Sequence, residues 1–161
     1  MASRLNGTDA WLLGAITETR RGAKPMQLWE LVNNADWLNR SIPTFTEARM
    51  SLPRLVAAGY LVMARDAQGR LTLKATDAAF DLRDRVRADT LGGVLSEVAT
   101  LVRREPDIPA DDVSNLGASA VLTQAEWDAA VTKNSDWMER QIRRFLPGFR
   151  SPGSTSGGRQ N

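Results

Sequence analysis

Cysteine and histidine, the residue types that most often supply nucleophiles, general bases and soft metal ligands, are both missing from this 161-residue chain. Disulfides, thiolate attack, imidazole catalysis and nearly all zinc or haem sites go with them. The 19 Asp and Glu residues remain as candidate acids and bases. Most of them fall on predicted helical faces beside Arg, the arrangement of a solvated surface. The expectation is no enzyme, no cofactor and no metal site.

The cations point elsewhere. Of the 21 Lys and Arg residues, 18 are Arg, whose planar fork suits bidentate contact with phosphate and guanine. The net charge is only +2, but residues 1–90 carry 13 cations against 10 acids, a balance of +3, whereas residues 91–161 carry 8 against 9, a balance of −1. The basic excess lies in the front half. With 42% hydrophobic residues, the length predicts one core plus an appendage. The absence of an apolar run of about 18 residues, and of a signal-peptide pattern at the start, predicts a cytoplasmic chain with no membrane partner.

These residues need elements to position them. Thr8 or Asp9 is placed to cap a first helix with a stripe of Trp11, Leu12, Ala15 and Ile16, ended by "RRGAK" at 20–24. After Pro25, "MQLWELVNNADWL" repeats Leu28, Leu31, Val32, Ala35 and Leu38 at helical spacing. A third helix is announced by "TFTE", in which Thr44 and Glu47 form a capping box, and is stopped by Gly59. Its interior holds Pro53, which lacks the N–H for a helical hydrogen bond and costs roughly 3 kcal/mol. Either Pro53 bends or ends the first part of the helix while packing on a neighbour, or the helix restarts at a Ser51 cap.

"YLVMARDAQGRLTLKA" reads as two strands about a type I turn from Asp66 to Gly69. Leu61, Met63, Leu71 and Leu73 would share its buried face, with Arg70, Thr72 and Lys74 outward. Thr76 caps a predicted helix "DAAFDLRDRVRADTL". Leu91, Leu95, Val98 and Val102 make a further stripe, "REPDIPADDVSNLG" connects, and a second box, Thr123 with Glu126, opens a long helix faced by Trp127, Val131, Met138, Ile142, Phe145 and Leu146. The Gly/Ser-rich end predicts a disordered tail. The predicted organisation is 1–90, 91–147 and a tail at 148–161.

The order helix, helix, capped helix, Gly, hairpin, helix over residues 9 to about 90 resembles the winged helix-turn-helix of MarR-type and PadR-type regulators. "PRLVAAGYLVMARDAQGRLTLKATDAA" carries most of the likeness. The resemblance implies a mainly α fold with a small β-hairpin wing, a winged helix-turn-helix core followed by C-terminal helices. It also implies a transcription regulator that binds double-stranded DNA through helix 44–58 and wing 61–75. By position it assigns contacts to Thr44, Thr46, Arg49, Met50 and Arg54 on the third helix, and to Arg65, Arg70 and Lys74 at the wing. Arg20, Arg21 and Lys24 would extend the phosphate footprint.

A protein-only adaptor is the alternative, because Trp37 falls opposite the apolar stripe of its helix and would serve as an interface anchor. Two amphipathic segments after the core predict a homodimer through residues 80–146, set on a palindromic site. Asn134, within the last apolar stripe, would fix its register.

Overall fold

The computed structural model describes residues 4–108 and 121–145. Helix α1 (Gly7–Ile16) is the centre of the molecule: every residue from Asp9 to Ile16 is buried, and α2 (Leu28–Asn39), α3 (Phe45–Ala57) and α5 (Leu91–Val102) all pack on it. A helix enclosed on all sides has no polar stripe to preserve. Its cap is Asn6, not Thr8 or Asp9. The Asn6 side chain accepts from the Thr8 and Asp9 amides at 2.9 and 3.2 Å, and the Asp9 carboxylate accepts from the Asn6 amide at 2.7 Å. The helix ends at Ile16, ahead of the basic run expected to end it, and Gly22 with φ +78° turns the chain back.

Met26 and Gln27 do not join the second helix. They form a short strand, β1, whose partners are Leu73 and Thr72 on β3 (Leu71–Ala75). With β2 (Leu61–Arg65) this makes a three-stranded antiparallel sheet in the order β1-β3-β2, one strand more than the predicted hairpin. Helix α2 then starts at Leu28, where the Glu30 carboxylate accepts from the Gln27 amide at 2.6 Å. Its buried face is Leu28, Leu31, Val32, Ala35 and Leu38, the stripe the periodicity predicts.

Helix α3 is one helix through Pro53, so the restart at Ser51 does not occur. Leu52 and Leu55 on either side of the proline are fully buried, and Ser51, also buried, accepts from the Arg54 guanidinium at 3.2 Å. Tertiary packing outweighs the local cost of the missing N–H. The helix closes as the sequence predicts. Gly59 at φ +78° lets the Tyr60 amide reach the Leu55 carbonyl and its own amide reach Val56, both at 2.9 Å.

Across the hairpin Met63 faces Leu73 and Arg65 faces Leu71. Helix α4 (Asp77–Asp84), capped by Thr76, is about two turns shorter than predicted, because Thr90 caps a separate α5. Helix α6 (Gln124–Phe145) opens on the expected Thr123–Glu126 box and crosses α2. Val94, Val98, Val102, Trp127 and Ala130 belong to the same core cluster as α1 and α2. The α5 stripe at Val98 and Val102 and the start of the α6 stripe at Trp127 are thus covered within the chain, with Asn134, 1% exposed, buried there too, whereas Met138 and Phe145 farther along α6 stay exposed. The connector beyond Ile108, Leu146 and the tail 148–161 lie outside the described residues. Among those described, no helix is long and apolar enough to cross a membrane.

Candidate nucleic-acid interface

The opening of α3 is held by its own box. The Thr44 hydroxyl accepts from the Glu47 amide at 3.2 Å and donates to the Glu47 carboxylate at 2.8 Å, while that carboxylate also accepts from the Thr44 amide at 2.7 Å. Thr44 is exposed, but its hydroxyl is engaged in the cap. Beyond it, Thr46, Arg49 and Met50 are exposed on the first two turns, with Met50 at 51%. The Arg49 guanidinium lies 5.9 Å from the centre of the Phe45 ring and has no acidic partner among the described residues. A hydroxyl, a free guanidinium and a thioether side by side are the groups that contact phosphate, base edges and a thymine methyl.

Arg54 is not part of this surface, contrary to expectation. Its side chain is only 11% exposed and grips the fully buried Asp9, with contacts of 2.8 and 3.1 Å to one carboxylate oxygen and 3.1 Å to the other. The helical wheel directs Arg54 away from the α3 stripe, but α1 lies on that side. The charged pair is enclosed because each partner satisfies the other and Ser51 takes a further guanidinium proton.

Arg65 is likewise engaged inside the molecule. Its guanidinium donates to the Glu126 carboxylate, to the Gly69 carbonyl at 2.7 Å and to the Val121 carbonyl at 3.1 Å. The hydrogen bond from Arg65 holds the Glu126 carboxyl down at about 2, with further help from the Thr123 amide and hydroxyl. This clamp fastens the hairpin to the start of α6. At the tip, Arg70 donates to the Asp66 carboxylate at 2.7 Å and to the Gln68 side chain at 2.8 Å. The Arg70 contact lowers the Asp66 carboxyl below its ordinary range. Arg70 still exposes 56% of its side chain.

Lys74 stands exposed on the outer face of the sheet, across from Val62, and has no acidic partner among the described residues. Arg20 and Lys24 share a shallow depression with it, whose described lining holds no acid. Arg21 leaves that group: it binds Asp77, Asp81 and Asp84 on α4 at 2.8–3.1 Å and lies 5.2 Å from the centre of the Phe80 ring. One cation missed by sequence reasoning is Arg40. It is exposed four residues before Thr44, with no acidic partner among the described residues, and its φ of +54° closes α2 in the left-handed region. The pattern "NRSIP" signals a turn, and an Arg in the turn before a capped helix is a signal that could have been weighed.

Four of the eight expected residues therefore sit together on the start of α3, Arg70 and Lys74 are exposed on the hairpin, and Arg54 and Arg65 are joints of the fold. No cluster of His, Cys, Asp and Glu with metal-binding geometry occurs among the described residues. Compared with family models, curated proteins and solved structures, the chain matches nothing.

Proposed function

We propose that the protein is a winged helix-turn-helix regulator of transcription that binds double-stranded DNA without catalysing a reaction. The observation that supports this most is the start of α3, where Thr46, Arg49 and Met50 stand exposed and unencumbered behind a capped N-terminus. The element order supports it as well: two helices, a capped third helix and a hairpin, with β1 between the first two helices pairing onto the sheet. In this reading the first turns of α3 enter the major groove. Arg70 meets the backbone at the hairpin, and Arg40, Arg20, Lys24 and Lys74 add phosphate contacts. A homodimer in a cytoplasmic setting would present two copies of α3 to a palindromic site.

The test is a fluorescence-anisotropy titration against random duplex DNA and a sequence-enriched pool at two salt concentrations. Salt-sensitive binding that selects a palindrome supports the reading. An absence of binding at low salt rejects it. A protein-only adaptor is the second reading, favoured by Trp37, which is 56% exposed on α2. Loss of a partner on Trp37→Ala, with no DNA binding, would establish that alternative.

A further inference from the structure

Asn134 interrupts the apolar stripe of α6, and the fold leaves it unserved. The residue is 1% exposed, and its side-chain oxygen is fully buried with no hydrogen-bond partner among the described residues. An acceptor stripped of water and given no donor costs free energy that a donor in contact would return. Asn134 lines a groove of about 350 Å³ between α6 and the end of α2, a volume in the range of small-ligand sites. One wall is formed by Asn134, Met138 and Ile142, each one turn after the last along α6, and the other holds Asp36 of α2 and Ile42 just beyond it.

The groove carries an unmatched negative charge. Asp36 is half-buried and meets no cation among the described residues. Arg143, the one cation in the described lining, is held by Glu139 one turn earlier. What remains is a carboxylate, a buried amide oxygen and three apolar side chains: two acceptors without a donor. A water molecule would serve Asn134 but leave the Asp36 charge unmatched. A bare metal ion takes about six oxygen ligands and would leave Ile42, Met138 and Ile142 uncovered. A primary ammonium brings three N–H donors and a positive charge, its hydrogen bond to a carboxylate is charge-assisted, and an aliphatic stem behind it covers the apolar wall.

We propose that this groove binds a primary ammonium on a short aliphatic stem, with the nitrogen set between Asp36 and Asn134 and the stem lying along Ile42, Met138 and Ile142. The same chemistry is carried by a free alkylamine and by a lysine side chain of another protein. The groove involves neither α3 nor the hairpin, so the site does not depend on the DNA reading.

Titration of n-pentylammonium into the isotope-labelled full chain, followed by NMR, tests the site. A saturable shift of the Asn134 side-chain amide and of the Met138 backbone amide is expected. Neutral pentanol, and pentyltrimethylammonium, which has no N–H donor, should each bind at least about tenfold more weakly, the worth of one hydrogen bond to a charged group. Asp36→Asn and Asn134→Leu should weaken pentylammonium binding to the same extent, and Asp128→Asn, at an exposed acid of α6 outside the groove, should leave it unchanged. Asn134→Leu should also raise the denaturation midpoint, because it removes the unpartnered acceptor at nearly constant volume. A lowered midpoint would mean that the fold itself uses the amide, and overturns the assignment. No saturable shift with the native chain overturns the site, as does equal affinity for pentylammonium and its trimethyl analogue. N-acetyl-lysine N-methylamide separates the two sources: binding comparable to that of pentylammonium supports a protein's lysine, and its exclusion while pentylammonium binds supports a free amine.

Discussion

Helices α3 and α6 open on the same four-residue device, Thr44 with Glu47 and Thr123 with Glu126, yet they are anchored at opposite ends. In α3 the tie is late in the helix, where Arg54 grips the buried Asp9 of α1. In α6 the tie is the capping glutamate itself, which holds Arg65 of the hairpin. The start of α3 is therefore left to solvent with Thr46, Arg49 and Met50 exposed, while the start of α6 is a joint. A capping box specifies where a helix begins and says nothing of whether that beginning is free.

Removing the ties tests this contrast. The largest effect is expected from Arg54→Met, which strands the Asp9 carboxylate in the core. It should cost about 3–5 kcal/mol of stability in chemical denaturation, and a loss below 1 kcal/mol would mean the pair is not closed in solution. The next compares the boxes directly. Glu126→Ala loses both cap and Arg65 and should cost about 1–2 kcal/mol, against about 0.5–1 kcal/mol for Glu47→Ala, which loses only a cap. Equal losses would erase the distinction drawn here.

The same carboxylate predicts a pH dependence. Its folded value of about 2 lies below the ordinary 4.5, so its stabilisation is complete above about 4.5 and is lost as pH falls through about 2. The stability gap between the native chain and Glu126→Gln should hold steady from neutral pH down to about 5 and then narrow toward pH 2. A gap that widens on acidification would contradict the assigned partner. The smallest effect on folding belongs to the free end: Arg49→Ala should change stability by less than about 0.5 kcal/mol. If DNA is bound as proposed, the slope of log affinity against log salt should fall by about 0.9, the equivalent of one phosphate contact. An unaltered slope would remove Arg49 from the footprint.

What could be read from the sequence was whatever depends on near neighbours. The Thr44, Thr76 and Thr123 caps, the Gly59 stop and the Asp66–Gly69 turn each involve residues within a few positions, and all are present. The α2 stripe was legible because a single apolar face repeats at helical spacing. Two of the misses share a different cause. Met26 and Gln27 continue the polar and apolar pattern of α2, and only their pairing with β3, about 45 residues on, makes them a strand. Helix α1 was given a stripe although it is enclosed on every side.

The candidate site divides in the same way. Thr46, Arg49 and Met50 face outward for reasons internal to α3, its box and its apolar side, and the sequence by itself placed them there. Arg54 and Arg65 have the same composition and local setting as a surface cation. Their partners lie 45 and 61 residues away, and periodicity carries no information over that distance. The sequence alone determined the bounds of α3 and α6, the turn and the polar face of α3. Only the tertiary structure decided which arginines are free, because a guanidinium goes to whichever carboxylate the fold brings within reach.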